Sequence, residues 1–133
     1  MKTVFADTFY YLAFLGERDA AHDRAIRFSE KYTGGIVTTS WVLTEVADAL
    51  AAPERRTRCA AFLRQLRGDP SLTIAQPSEP LFQRGLDLYA SRDDKDWSLT
   101  NCISFVVMED YAIAEALTCD HHFEQAGFRA LLS

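Results

Sequence analysis

Three carboxylates stand where a chain could put them to chemical use. Asp7 ends the apolar run Thr3-Val4-Phe5-Ala6, Asp120 follows Ala116-Leu117-Thr118-Cys119, and Glu45 sits inside Trp41-Val42-Leu43-Thr44-Glu45-Val46. Carboxylates at the ends of parallel strands converge in the crevice at the sheet's carboxyl edge, where ligands bind in open α/β folds. Converging carboxylates repel one another unless a hard divalent cation sits between them. The constellation therefore points to metal-dependent phosphodiester chemistry.

The elements that must position these acids follow from pattern and punctuation. Residues 1–6 read as a buried strand, and Asp7 is placed to cap a helix running to about residue 15. Apolar residues near helical spacing predict a second helix over 20–32, stopped by Gly34-Gly35. A strand over 36–38 follows. Ser40 is then expected to cap a helix to about 51, with Val42, Val46 and Leu50 on one face. Pro53 opens the next helix, to about 66, at a first-turn position. A strand at 72–74 and a helix at 79–89 complete the middle of the chain. After the charged loop 90–97, Ser98 caps a helix over 99–109. A strand at 116–118, a short helix at 121–125 and an edge strand after Gly127 close the chain. Strands alternating with helices imply a parallel sheet covered on both faces.

Bulk properties narrow the function classes. A chain of 133 residues is expected to form one domain, residues 1–133, and 48% hydrophobic residues suffice for a core without staples. A net charge of −5 argues against a general nucleic-acid coat protein, which would be basic, but not against a nuclease whose carboxylates are offset by metal. Cys59, Cys102 and Cys119 form no C-x-x-C pair, so they read as small core hydrophobes rather than a zinc or disulfide framework. The start of the chain lacks the basic and long apolar segments of a signal peptide, and no apolar run approaches about 18 residues. A cytoplasmic location without membrane contact is expected.

Three segments carry a resemblance: VFADTFYYLAFL at the start, TTSWVLTEVADAL in the middle, and DWSLTNCISFVVM with ALTCDHHFEQAGF at the end. Together they resemble the PIN domain family, and within it the VapC-type toxins of bacterial toxin–antitoxin pairs. The last segment is the most specific. The resemblance implies a three-layer α/β/α sandwich with a mostly parallel central sheet. It implies cleavage of structured RNA, of the tRNA or ribosomal RNA class, with Mg²⁺ or Mn²⁺ as cofactor. It also implies a homodimer and a small DNA-binding antitoxin as partners. The family's acidic set falls on Asp7, Glu45, position 101 and Asp120, with Asp7, position 101 and Asp120 as the metal ligands.

Position 101 departs from that pattern, because this chain has Asn where the family has Asp. Asn101 keeps a carbonyl oxygen and the side-chain shape but loses the charge and cannot act as a base. With Ser98 as cap, residue 101 is the third helical position, where the macrodipole favours an anion. The substitution keeps a second reading open: a weakened protein of the same fold that binds RNA or an antitoxin without efficient cleavage. Thr8, Asp96, Ser98 and Thr118 flank the acids as candidates to support them. Asp93 and Asp94 read as a solvated loop.

The remaining conspicuous residues have plainer readings. His121 and His122 are adjacent, and adjacent helical residues do not share a face. Capping or exposed roles are expected for them, with a phosphate contact as a minor one. Arg55, Arg56, Arg58, Arg64 and Arg67 crowd one helix, either as a solvated face paired with Glu54 or Asp69, or as a rim for RNA phosphates or an acidic antitoxin segment. Phe9, Tyr10, Tyr11 and Phe14 read mostly as core, their tyrosines able to line a dimer or antitoxin groove. A phosphoacceptor domain would need a D-x-D after the first strand or a suitable late lysine. Asp7 is followed by Thr8-Phe9, and Lys2, Lys31 and Lys95 do not serve.

Overall fold

A computed structural model describes residues 2–133; Met1, expected to start the first strand, lies outside the described residues. Strands and helices alternate as β1 (Thr3–Ala6), α1 (Thr8–Leu15), α2 (His22–Lys31), β2 (Gly35–Thr39), α3 (Ser40–Ala49) and α4 (Pro53–Arg67). They continue as β3 (Leu72–Ala75), α5 (Glu79–Ser91), α6 (Leu99–Asp110), β4 (Glu115–Leu117), α7 (His121–Gln125) and β5 (Arg129–Ala130). The sheet has the order β3-β2-β1-β4-β5, and every pairing is parallel. The expected α/β class is the one observed. Val4 and Phe5 point to opposite faces of β1, yet both are buried, so helices cover the sheet on both sides.

The strand order places the crevice. The chain builds outward from β1 through β2 to β3, then returns to lay β4 on the other flank of β1. Order reverses between β1 and β4, the position where open α/β sheets leave a gap at their carboxyl ends. In register, Ala6 lies opposite Leu117, so Asp7 and Thr118 are the first residues beyond the paired ends.

Packing fixes the helices that border the gap. Tyr10, Tyr11 and Phe14 of α1 meet Phe28 and Phe62; Phe14 stacks on Phe62 with centroids 5.7 Å apart, and Tyr10 meets Phe28 edge-on at 6.2 Å. Such pairs contribute about 0.5–1.5 kcal/mol each beyond area burial, which anchors the helix that begins beside Asp7. Helix α6 is nearly enclosed: Asn101, Cys102, Ile103, Ser104, Phe105, Val107 and Met108 are all buried. It approaches α5 closely because residue 85 is glycine. A Cβ there would collide with the Ile103 side chain and stand 3.2 Å from its Cα.

Local expectations hold in some places and fail in others. Ser98 caps α6 as expected, its hydroxyl accepting from the Asn101 N–H at 3.0 Å. Helix α3 is capped by Thr39 and not by Ser40: the Thr39 hydroxyl accepts from the Val42 N–H at 3.1 Å. Asp7 precedes α1 with extended backbone but makes no side-chain cap bond, because its carboxylate is turned toward Thr118 instead. Helix α2 ends at Tyr32, before the glycine pair, and Gly35 already belongs to β2.

Candidate active site

Asp7, Thr8, Phe9, Glu45, Asp96, Ser98, Asn101, Asp120 and His122 line one open cleft of about 430 Å³ at the carboxyl edge of β1 and β4. Seven of these are residues singled out from the sequence. Thr118, the eighth, lies fully buried beneath the cleft and joins its two aspartates. Its hydroxyl donates to Asp7 Oδ2 at 2.8 Å and accepts from the Asp120 N–H at 3.0 Å. A single threonine thus ties the end of β1 to the segment after β4.

The acids reach the cleft by different routes. Asp7 and Asp120 follow strands. Glu45 does not: it comes from the second turn of α3, so only two of the three acids are strand-end residues. Thr8, the first residue of α1, donates its hydroxyl to Glu45 Oε1 at 2.6 Å and holds that side chain at the rim. Asp120 caps α7, its Oδ1 accepting from the His122 N–H at 2.9 Å, and Oδ2 makes no hydrogen bond among the described residues. Capping and an available oxygen coexist there, as the sequence suggested.

Electrostatics single out Asp7. The residue is 5% exposed, and its carboxyl is pushed up to about 6. Burial is the largest cause; Asp120 and Glu45 add like-charge repulsion, while the Thr118 hydroxyl and the backbone at Thr8 oppose the rise. Among the described residues, no lysine or arginine lies within 4.0 Å of the Asp7, Glu45 or Asp120 carboxylates. Oxygen donors that repel one another, without a lysine or arginine partner among the described residues, suit a hard divalent cation. Asp7 and Asp120 are placed to hold one, with Glu45 opposite.

His122 borders the cleft, although the sequence reading gave it a capping or exposed role with a phosphate contact only as a minor one. Its Nδ1 lies 3.2 Å from Asp120 Oδ1 and 3.4 Å from Asn101 Nδ2, and its side chain is only 20% exposed. His121 is 70% exposed, with its ring 4.3 Å from that of His122. The expectation that both would be exposed or capping therefore fails for His122. One donor atom from each of Asp120, His121 and His122 lie within 4.8 Å of one another. The rule that neighbours diverge holds inside a helix; at the first turn of a five-residue helix both rings fold back toward the capping carboxylate. The acid-then-histidine order at a helix start was the available signal.

Other candidates lie elsewhere. The five arginines of α4 are exposed, and Arg55 and Arg58 border a separate cleft with Arg18, Glu17, Asp19 and Glu54. None of the five pairs with Glu54 or Asp69 within 4.0 Å among the described residues; Asp69 accepts from the Ser71 N–H and hydroxyl instead. Tyr10 and Tyr11 are core residues that also border an apolar groove with Phe14, Phe28 and Phe62. The three cysteines are free, Cys59 and Cys102 buried. Among the described residues no helix is long and apolar enough to cross a membrane.

No family model matches the chain. A curated relative, the 23S rRNA-specific endonuclease VapC20 of Mycobacterium tuberculosis, is 26% identical over 127 residues, covering 94% of this chain and 95% of the relative. The crystal structure of Mycobacterium tuberculosis VapC20, described as a Sarcin-Ricin loop cleaving toxin, superposes with a TM-score of 0.89 at 24% identity, over 98% of this chain and 99% of that one. A toxin–antitoxin complex from Klebsiella pneumoniae shares the fold more distantly, with a TM-score of 0.62 at 15% identity over 89% of this chain and 87% of that one. Over nearly its whole length the chain is therefore similar in sequence and in fold to VapC20.

Proposed function

We propose that this chain, a single PIN-like domain over residues 1–133, is a divalent-metal-dependent endoribonuclease and the toxin of a toxin–antitoxin pair. Its substrate class is structured RNA, with ribosomal RNA first because the related VapC20 acts on 23S rRNA. The observation that carries the reading is the buried Asp7 carboxyl, without a lysine or arginine partner among the described residues, facing Asp120 and Glu45 across a solvent-open cleft. Such an arrangement keeps a carboxyl costly to ionise, by burial first and by like charges second, where a structural network would supply a lysine or arginine.

The chain's own residues would divide the work as follows. Asp7 and Asp120 would hold Mg²⁺ or Mn²⁺, with Glu45 oriented by Thr8 to ligate or to hold a water. When bound, such an ion supplies Lewis-acid stabilisation of phosphoryl charge and makes water more acidic. Thr118 keeps both aspartates in place from below. Asp96 and Ser98 border the same opening and would contact substrate or ordered water. The Ser98 hydroxyl already accepts from the Asn101 N–H, so its first role is the cap. The exposed arginines of α4 would meet RNA phosphates or an acidic stretch of a small DNA-binding antitoxin. A homodimer completes the expected assembly.

One observation favours a second reading, a weakened enzyme of the same fold that binds RNA or antitoxin without efficient cleavage. Asn101 is 8% exposed at the third position of α6, where a carboxylate would be stabilised by the helix, and it brings no charge. The test compares this protein with Asn101→Asp on ribosomal RNA in Mn²⁺, with cleavage mapped at nucleotide resolution. Cleavage at one defined site, faster in Asn101→Asp, supports the nuclease reading. Metal binding without cleavage by either protein would favour the weakened one.

A further inference from the structure

Asn101 brings no charge to the cleft, and a histidine ring stands beside its side-chain amide. His122 Nδ1 stands 3.2 Å from Asp120 Oδ1 and 3.4 Å from the Asn101 side-chain amide. Two donors bound to one ion at about 2.1 Å, at angles between 90° and 110°, stand about 3.0–3.4 Å apart. Both separations match that spacing. The Asn101 amide can turn its carbonyl oxygen inward by a half rotation, because the placement of its O and N follows from neighbours. His122 lines the same cleft as Asp7 and Glu45, and α7 holds its backbone through the Asp120 cap. The arrangement sets an imidazole beside Asp120 and a neutral amide, in the cleft that Asp7 also lines, where an all-carboxylate set would be the hard-ion solution.

We propose that His122 is an imidazole ligand of this site, acting beside Asp120 where Asn101 lacks a charge, and that it sets a preference for Mn²⁺, Co²⁺ or Ni²⁺ over Mg²⁺. The inference rests on the metal-site reading above and names the residue that selects the ion. Carboxylate and water ligands suit Mg²⁺, whereas imidazole nitrogen shifts a site toward first-row transition ions. Those ions also bind more tightly to sites in general, so the diagnostic quantity is how one residue changes the ratio between ions. His121 shares the cluster but is exposed and does not border the cleft, which makes it the internal control.

The test is calorimetric titration of the metal-free protein with Mg²⁺, Mn²⁺, Co²⁺ and Ni²⁺, together with the visible absorption of the Co²⁺ form. His122→Ala is expected to weaken Co²⁺ and Ni²⁺ about 10- to 100-fold, the range for loss of a group that ligates or orients a ligand, while changing Mg²⁺ about twofold or less. The Co²⁺ spectrum should change with it. His121→Ala should leave all four ions within about twofold, on the same argument. Asn101→Asp provides a second variant that keeps the imidazole: it should strengthen Mg²⁺ and narrow the gap between ions. An equal loss for every ion in His122→Ala, no loss, or a loss carried by His121→Ala would overturn the role of His122 while leaving the metal site standing. Absence of binding by any ion to the starting protein would overturn both.

Discussion

Asp7→Asn should make the metal-free protein more stable while removing its response to metal. The Asp7 carboxyl is raised from 3.8 to about 6 by burial and by the charges of Asp120 and Glu45. A carboxyl raised in the folded state favours folding fully below its unfolded value, and that contribution is lost as pH rises through the folded value. From 3.8 to about 6 the difference corresponds to about 3 kcal/mol at neutral pH and above, as an upper bound. For a chain of 133 residues that is roughly 10 °C in melting temperature. Asn keeps the shape, and its carbonyl can still accept from the Thr118 hydroxyl, so the bond at 2.8 Å survives. The assay is thermal unfolding of both proteins in a chelator from pH 4 to pH 8. Asp7→Asn should be the more stable at pH 8, and the gap should close toward pH 4. A variant that is less stable at pH 8, or a gap independent of pH, would refute the argument that ionised Asp7 is strained by its surroundings.

Further outcomes follow from other contacts. Thr118→Val removes the one hydroxyl shared by Asp7 and the Asp120 N–H; it should cost about 2 kcal/mol or more in denaturant unfolding and weaken metal binding, because a buried carboxyl and a partly buried N–H lose their partner. Gly85→Ala forces a methyl against Ile103 at the α5–α6 contact, with its Cα only 3.2 Å away; overpacking of this kind should cost about 1–3 kcal/mol, read as a lower denaturant midpoint with an unchanged slope. Neutralising Arg55, Arg56 and Arg58 together should weaken RNA binding and flatten its dependence on salt, whereas an unchanged slope would return these exposed residues to the status of solvated surface.

The site was legible in the sequence to the extent that its residues follow from local rules. Asp7 and Asp120 come directly after apolar strand runs, and strands end at the crevice in a parallel sheet. Ser98 at a helix start places residue 101 at the third helical position, and the hydrogen bond is there. Glu45 could be named but not explained, because its position depends on how α3 leans on α1, and only the Thr8 contact reveals that. The caps at residues 7 and 40 were misread for one reason: several oxygen-bearing side chains stand near each helix start, and tertiary neighbours decide which one serves. Thr118 draws Asp7 away from α1, and Thr39 reaches the Val42 N–H before Ser40 can. His122 was given a capping or exposed role because the facing rule describes helix interiors, while Asp120 gathers both rings at a helix start. The strand order came last, since alternation implies a parallel sheet but does not say that β4 returns to the flank of β1.

The central claim is that the Asp7–Glu45–Asp120 cleft cleaves RNA with a bound divalent ion. Its most direct test is single-turnover cleavage of a structured ribosomal RNA fragment by the purified protein, in chelator and then with Mn²⁺ restored, beside Asp7→Asn and Asp120→Asn. Cleavage should appear at a defined phosphodiester only with metal, and fall by about 100-fold or more in both variants, the scale expected when a directly acting electrostatic group is lost. Cleavage that persists in chelator, or that both variants retain, would place the chemistry elsewhere on the molecule.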